Sequence, residues 1–269
     1  MFFINKNTIG TNKRMNFNNN HLAIALQAAK ETGDILIAYY GNSEEKFKNS
    51  TYDIGSVVTK ADLESEEKIV EILKAAFPDH GLHLEEGNSE NETAEYVWYI
   101  DPLDGTSNFV RNIPLFGISI GLLQNGEPIL GVLFFPALNL LLHAVKGQGA
   151  FANNKKIAVS NKSLEQSLYY SGGKFNGKML LNEALISSVA MIKIIDSSSY
   201  EFAQIAMGDA EIYSLINIPH DVVAGVCIVK EAGGKITDGD GKPWTIHSDT
   251  ILATNGIVHD QVLKLTRKN

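Results

Sequence analysis

The stretch YVWYIDPLDGTSNFV, residues 96–110, decides how this sequence is interpreted. Its first five residues are apolar or aromatic, which is typical of a buried strand. Two aspartates three positions apart, Asp101 and Asp104, follow at once, and Gly105 and Thr106 come next. Glycine lets the backbone approach a ligand closely, and consecutive amides that open a turn or helix can hold phosphate oxygens. The stretch therefore combines groups that bind metal with groups that bind phosphate.

Composition excludes several classes of protein. The chain has 269 residues, is 44% hydrophobic and carries a net charge of −8, so a nucleic-acid polymer or an anionic membrane is an unfavourable partner. No stretch reaches the roughly 18 apolar residues of a membrane span. The single cysteine, Cys227, lies in an apolar helical pattern and is predicted to be a buried thiol. The polar, Asn-rich residues 1–20 lack the core of a signal peptide, which predicts a loose N-terminal extension, an alternative start at Met15 and a cytoplasmic protein.

The pattern of apolar residues predicts the order of elements. Helical spacing covers residues 21–40 and about 62–77, with Pro78 ending the second helix. Short strand-like runs follow, and QNGEP between two of them holds the Asn-Gly signal of a hairpin. Strands and helices then alternate to the C-terminus, with one of the helices predicted over 179–188. This order predicts a layered α/β protein with a single unit over 21–269.

A soft subdomain division is predicted near residues 155–165.

Two further acidic positions accompany the aspartates: Glu85 beside Glu86 in HLEEGNSE, and Asp221 at the start of the helix PHDVVAG. Clustered carboxylates repel one another unless a cation neutralises them, and oxygen ligands without cysteine or paired histidines suit Mg²⁺ or Mn²⁺.

Each acidic position also has a plain structural interpretation. Asp101 and Asp104 can form a polar strand end with a capped turn, Glu85 can be a solvated loop charge, and Asp221 can be an N-cap. Their combination with the DGTS segment is what favours phosphoryl chemistry.

IDPLDGTSNF, continued by RNIPLFGISIGLL, resembles the signature of the inositol monophosphatase family, the lithium-sensitive, Mg²⁺-dependent phosphatases. VVTKAD, LEEG and HDVVAGVCIVKEAGGKITDGDGKPW resemble further family elements in the same order, so the resemblance covers about residues 20 to 267. It implies an α-β-α-β-α sandwich and a homodimer.

The resemblance also implies roles for individual residues. It implies two or three Mg²⁺ ions, with Mn²⁺ as an alternative, held by Glu85, Asp101, the Leu103 carbonyl, Asp104 and Asp221. Glu85 and Thr106 would orient and help deprotonate a metal-bound water, and Asp62 would hydrogen-bond Thr106. The implied substrate-binding residues are Asp104, Gly105, Thr106, Ser107, Ser198 and Asp221.

Departures from the family pattern spare these metal ligands. His220 replaces the usual tryptophan before Asp221, and Leu84 replaces a glycine before Glu85. Asp196 stands at the glycine position of the family's G-[ST]-A-A element.

A further departure concerns the substrate. Inositol-type members carry a glutamate where this chain has Ser214, and Glu211 is only a loose substitute. The departures therefore fall on the leaving-group side of the site.

The sequence thus predicts a Mg²⁺-dependent phosphomonoesterase that hydrolyses inositol monophosphate, or a similar sugar or polyol phosphate, by attack of a metal-activated water. Lithium inhibition is expected from the resemblance alone. Fructose 1,6-bisphosphate, histidinol phosphate and 3′-phosphoadenosine 5′-phosphate are alternative substrates. A nucleotide would be favoured by a basic or aromatic pocket built from Lys174, Lys178, Lys193, Tyr169 and Tyr170. A catalytically idle family member that binds metal or phosphate is the non-enzymatic alternative.

Overall fold

Two β-sheets with helices between and around them make up the computed structural model. It describes the backbone of residues 6–41, 46–47, 57–172, 174–175, 178–179 and 182–266, and the side chains of 20–41, 59–172 and 182–266. The helices are α1 (Lys6–Tyr39), α2 (Lys60–Ala76), α3 (Thr106–Val110), α4 (Glu183–Ile186), α5 (Ser198–Met207), α6 (Pro219–Glu231) and α7 (His259–Thr266). The strands are β1 (Lys46–Phe47), β2 (Val57–Val58), β3 (Gly81–Leu84), β4 (Tyr96–Asp104), β5 (Gly117–Gln124), β6 (Glu127–Phe135), β7 (Leu140–Val145), β8 (Gly149–Ala152), β9 (Lys155–Ile157), β10 (Leu168–Ser171), β11 (Lys174–Phe175), β12 (Lys178–Met179), β13 (Met191–Lys193), β14 (Ile212–Ile216), β15 (Lys235–Thr237) and β16 (Thr250–Thr254).

The elements stack in five layers. A seven-stranded sheet has the order β3-β4-β5-β6-β7-β8-β9, and a five-stranded sheet has the order β13-β10-β14-β16-β15. Helices α1 and α2 pack on one face of the larger sheet, and α5 and α6 lie between the two sheets. Helices α4 and α7 share a third apolar cluster with strands of the smaller sheet. This arrangement confirms the mixed α/β class and the α-β-α-β-α layering.

Strand β4 is buried on both faces, which explains its unbroken apolar sequence. Val97 and Tyr99 belong to the core between the sheets, whereas Trp98 and Ile100 belong to the core under α1 and α2. Side chains alternate between the faces of a strand, so a strand covered by helices on both sides needs apolar residues at every position.

Two element boundaries differ from the sequence-based expectation. Helix α1 begins at Lys6, so it includes residues 6–20, which the polar composition had assigned to a loose extension. Adding a residue to an existing helix is far easier than starting one, so a helix anchored by buried residues can continue into a polar segment. The helix expected over 179–188 is only Glu183–Ile186, with Asn182 capping it and 180–181 outside the described residues. Whether residues 1–20 belong to the folded unit stays a prediction, as does the division near 155–165.

Other local predictions are confirmed. Asn125 and Gly126 both have positive φ, at 50° and 80°, as the tight turn between β5 and β6 requires. Cys227 is buried, and burial raises the pKa of its thiol. Within the part of the chain that the structure describes, no helix is long and apolar enough to cross a membrane.

A pair of glycines fixes the distance between α6 and the larger sheet. Gly121 and Gly131 face each other on β5 and β6. A Cβ at Gly131 would lie 2.3 Å from the Ala224 carbonyl oxygen, and one at Gly121 would lie 2.5 Å from Val223 Cγ1. Because α6 carries Asp221 in its first turn, this close approach also sets the height of that carboxylate above the sheet.

We expect Gly131→Ala to lower the free energy of unfolding by about 1 to 3 kcal/mol, since its added methyl group must push helix backbone away. Urea unfolding measures this. The control is Gly126→Asn, in a turn where a Cβ meets nothing within 4 Å and asparagine tolerates the positive φ. Equal stability of Gly131→Ala and the unmodified protein would show that α6 is not held at the glycine pair.

Candidate active site

A bulge at the end of β4 turns both aspartates of the 96–110 stretch toward one pocket. Residues three apart in a regular strand point to opposite faces. Here Asp101 pairs with Ser119 and Asp104 pairs with Gly117, so β4 uses one more residue than β5 over this interval. Such an extra residue reverses the alternation, and both carboxylates line the same pocket.

The pocket has a volume of about 510 Å³ and an acidic lining. Six carboxylates line it: Glu85, Asp101, Asp104, Asp196, Glu201 and Asp221. Leu103, Gly105, Thr106, Ser107, Ser198 and His220 also line it, so every metal-binding and substrate-binding residue named from the sequence is brought to this one place. Among the lining residues that the structure describes there is no lysine or arginine.

Asp62 supports the pocket through its contact with the lining residue Thr106. It lies in the first turn of α2, where its Oδ2 accepts hydrogen bonds from the Thr59 amide at 2.8 Å and the Thr59 hydroxyl at 2.6 Å. Its Oδ1 lies 3.2 Å from Thr106 Oγ1, which is also 3.0 Å from the Leu103 carbonyl oxygen. Burial raises the pKa of Asp62 from 3.8 to about 6, against the lowering effect of these hydrogen bonds. The capping box of α2 thus holds a buried carboxylate against the hydroxyl of Thr106.

The start of α5 is tied to Asp104. Asp104 Oδ1 accepts a hydrogen bond from the Ser198 amide at 3.0 Å. Its Oδ2 accepts from the Ser197 hydroxyl at 2.6 Å, the Ser199 amide at 2.9 Å and the Ser199 hydroxyl. These donors stabilise the charged form, yet burial is the larger effect and raises the pKa of Asp104.

Asp221 enters the pocket from the first turn of α6. The N-cap of α6 is Ile218, followed by Pro219, so Asp221 does not cap the helix. Its Oδ2 lies 3.3 Å from the Ser198 hydroxyl, and its Oδ1 lies 3.2 Å from His220 Nε2. His220, which replaces the family's tryptophan, therefore touches Asp221.

Glu66 is a contributor that the sequence reasoning missed. It lies one turn after Asp62 on α2, is 6% exposed, and accepts a hydrogen bond from the Glu86 amide at 2.9 Å. A Cβ at Gly87 would lie 2.8 Å from Glu66 Oε1. Glu66 therefore fixes the backbone of the loop that carries Glu85. The available signal was the i, i+4 spacing of two acids on the buried face of one helix.

Burial and mutual repulsion of the acids dominate the electrostatics. Burial, then the charges of Glu85, Asp104 and Asp221, raises the pKa of Asp101 well above 3.8. Burial, then the charges of Asp104 and Glu85, does the same for Asp221. Buried carboxylates with no lysine or arginine beside them in the described lining call for a cation, and an all-oxygen donor set suits Mg²⁺ or Mn²⁺.

The acidic side chains are not already arranged as a metal site. Among the described residues, no three His, Cys, Asp or Glu side chains are positioned together to hold an ion. Asp104 illustrates why, because its oxygens face serine hydroxyl and amide donors. Its Oδ1 accepts only one of these bonds, which leaves a lone pair for a ligand. The donor set therefore fits a divalent cation in its chemistry.

The residues that the sequence suggested for the leaving-group side do not all lie at the pocket. The Ser214 hydroxyl lies 2.6 Å from the Tyr169 hydroxyl, and Tyr170 is buried in the central core. Glu211 is fully buried away from the pocket, where it accepts hydrogen bonds from the Leu168 amide at 2.7 Å and the Ser160 hydroxyl at 2.9 Å. The loose substitution of Glu211 for the family's glutamate is therefore wrong, because its carboxylate supports the backbone elsewhere. The side chains of Lys174 and Lys178, named for a nucleotide pocket, lie outside the described residues.

The metal-free protein should lose stability as the pH rises. Where the pKa of a carboxyl group is higher in the folded chain than in the unfolded chain, the folded chain binds more protons. The stability that such a group contributes is fully present below about pH 4 and is lost as the pH rises through its folded-state pKa. Asp62 contributes this loss up to about pH 6, and Asp101 and Asp221 extend it to higher pH.

We therefore expect Asp101→Asn, measured by thermal unfolding in EDTA, to be more stable than the unmodified protein by more than about 1 kcal/mol at pH 7, with a smaller gain at pH 4. The amide can keep the bond from the Leu103 amide, now 3.0 Å long. Asp240→Asn, in the exposed turn after β15, is the control. A loss of stability in Asp101→Asn would contradict the repulsion described above.

Comparisons with known proteins identify the family. The sequence profile of the inositol monophosphatase family matches residues 18–269. A Thermotoga maritima protein named fructose-1,6-bisphosphatase/inositol-1-monophosphatase is 36% identical over 251 residues, covering 92% of this chain and 96% of the relative. A Neisseria meningitidis protein named putative Nus factor SuhB is 33% identical over 256 residues, covering 92% and 98%.

Solved structures give the same result. An inositol monophosphatase from Anabaena (Nostoc) superposes with a TM-score of 0.82 at 36% identity, covering 92% of this chain and 95% of that one. The extragenic suppressor protein suhB from Bartonella henselae superposes with a TM-score of 0.85 at 28% identity, covering 92% and 98%. The chain therefore belongs to the inositol monophosphatase family.

Proposed function

We propose that this protein is a Mg²⁺-dependent phosphomonoesterase that hydrolyses inositol monophosphate or a similar sugar or polyol phosphate. The observation that carries the proposal is a pocket in which buried carboxylates face the Thr106 hydroxyl and the backbone at Gly105. Relatives named for inositol-1-monophosphatase activity support the same reaction. The proposal includes sensitivity to lithium, a homodimer and a cytoplasmic location, which rest on the family resemblance and the composition.

Five groups would hold the metal ions: Glu85, Asp101, the Leu103 carbonyl, Asp104 and Asp221. When bound, such ions offset the charge of the phosphate dianion and lower the pKa of water, which makes hydrolysis possible at neutral pH. The chain's own contribution begins with the position of these ligands, which lie on the bulged end of β4, the loop after β3 and the first turn of α6. The relative positions of these three elements must therefore be maintained for the site to form.

The Thr106 hydroxyl would handle the proton of the attacking water. Thr106 Oγ1 can donate its own hydrogen to Asp62 Oδ1 and so present a lone pair to the water. Asp62 is suited to receive that proton because its pKa of about 6, raised by burial, is close to neutral. Glu85, which also lines the pocket, would share in orienting the water.

The substrate's phosphate would be held by the open backbone at Gly105 and Thr106. Gly105 has φ 81°, and a Cβ there would lie 2.8 Å from the Leu115 carbonyl oxygen, so a side chain is excluded. Asp104, Ser107, Ser198 and Asp221 line the space beside it and would contact the leaving group.

A panel of phosphate esters tests the proposal. Phosphate release would be measured with Mg²⁺ and with EDTA for inositol 1-phosphate, glycerol 2-phosphate, fructose 1,6-bisphosphate, histidinol phosphate and 3′-phosphoadenosine 5′-phosphate. We expect EDTA-sensitive turnover, fastest on inositol 1-phosphate or glycerol 2-phosphate. Asp221→Asn is the control for contaminating phosphatases and should be inactive.

The other outcomes separate the alternatives. Preference for one of the other three esters would assign the alternative specificity named for it. No turnover of any ester by metal-loaded protein would favour a non-enzymatic role. Some relatives are named Nus factor SuhB rather than for a phosphatase activity, which is consistent with that alternative.

Replacement of Thr106 tests the proton pathway. We expect Thr106→Val, which keeps the shape and removes the hydroxyl, to lower kcat by about a hundredfold to ten-thousandfold. Thr106→Ser keeps the hydroxyl and should retain most of the activity. Calorimetry should find Mg²⁺ binding unchanged in both variants, and an unaltered kcat in Thr106→Val would remove this residue from the reaction.

A further inference from the structure

Asp196 is an exposed carboxylate at the pocket that the proposed reaction does not use. It has φ 63°, in the left-handed region that residues with side chains other than asparagine and aspartate rarely adopt. Glycine adopts this conformation without strain, so the chain carries a charged side chain at a position where the backbone favours glycine. Its carboxylate lines the pocket together with Ser107 and His220.

The carboxylate is held in place from two sides. Asp196 Oδ2 accepts a hydrogen bond from the Ser107 hydroxyl. The Asn108 side-chain amide donates to the Ile195 and Leu115 carbonyl oxygens, each at 2.9 Å, and so fixes the backbone around Asp196 to α3. A charge fixed in this way cannot swing into solvent when a substrate arrives.

The charge of Asp196 reaches the interior of the pocket. After burial and the nearer acids, it is among the causes that raise the pKa of Asp221 and of Glu201. The proposed metal ligands do not include Asp196, so cations bound by the other acids would leave it as a negative group facing the substrate.

The described residues of the leaving-group wall include no lysine or arginine that would offset that charge. Gly172, Leu215 and Ile218 supply apolar surface, and no described lysine or arginine lines the pocket. The Tyr169 hydroxyl is engaged with Ser214. A second phosphate on the leaving group would therefore meet like charge, with no lysine or arginine of the described lining to pair with it, and like charges close together inside a site are strongly unfavourable.

We propose that Asp196 is a specificity-determining residue, which makes the pocket select phosphate monoesters whose leaving group carries no second anionic group and reject bisphosphates. This inference rests on the proposed phosphatase function.

The test compares two esters that differ by one phosphate, inositol 1-phosphate and inositol 1,4-bisphosphate. Initial rates of phosphate release give kcat/KM for each ester in the unmodified protein, Asp196→Asn and Asp196→Gly. Asparagine can still accept the Ser107 hydrogen bond and tolerates the positive φ, so this variant removes the charge alone. Asp240→Asn, which removes an exposed acid outside the pocket lining, is the matched control.

We expect the preference for the monophosphate to fall about tenfold in both Asp196 variants, equivalent to about 1.4 kcal/mol, and to stay unchanged in Asp240→Asn. The difference should shrink at high ionic strength, since salt screens an exposed charge. Equal changes on both esters would mean that Asp196 acts on the cleaved phosphate, and an unchanged ratio would mean that it acts on neither; both results overturn the inference.

Failure of the proposed function gives a separate result. If the unmodified protein hydrolyses neither ester, calorimetry of the same two esters measures selection as binding. A ratio of dissociation constants that Asp196→Asn leaves unchanged would then overturn the inference on its own.

Discussion

The repulsion among buried acids is the constraint on which the rest of this structure depends. Asp101, Asp104 and Asp221 share one pocket whose described lining has no lysine or arginine, so the fold must hold them together against a large electrostatic penalty. It does so with rigid elements: a bulged strand end, a helix start bound to Asp104, and a helix packed on glycines. A divalent cation would turn the same repulsion into attraction, which makes metal binding and the stability of the folded chain two aspects of one interaction.

The layers of the fold serve this constraint. Helix α6 approaches the larger sheet at Gly121 and Gly131. A Cβ at Gly225 of α6 would lie 2.3 Å from Cγ of Phe202 in α5, so α5 also packs closely against α6. The two helices between the sheets are thus locked to each other and to β5 and β6. Since α5 supplies the donors to Asp104 and α6 carries Asp221, tight packing at some distance from the pocket sets the spacing of its acids.

Local signals in the sequence predicted the parts of the structure that depend on local chemistry. The apolar run of β4 and the Asn125–Gly126 turn follow from residues adjacent in the chain. The bulge after Asp101 and the contact of Glu66 with the Glu86 amide depend on partners that are not adjacent in the sequence, so local patterns do not specify them. The resemblance named the acids of the site, but not which of their oxygens the serines of α5 engage.

The backbone at position 196 has a consequence for how this pocket can diverge. At φ 63° only glycine, asparagine and aspartate fit without appreciable strain. Glycine has no side chain, whereas asparagine and aspartate have side chains of nearly the same size, the first neutral and the second negative. Single-base changes convert a glycine codon into an aspartate codon and an aspartate codon into an asparagine codon. An evolving lineage can therefore reset the charge at the pocket entrance by point mutation while the fold, the cores and the metal ligands remain as they are. Comparisons of overall fold would not detect such a change, and two proteins with nearly superposable backbones could differ in substrate through this position alone.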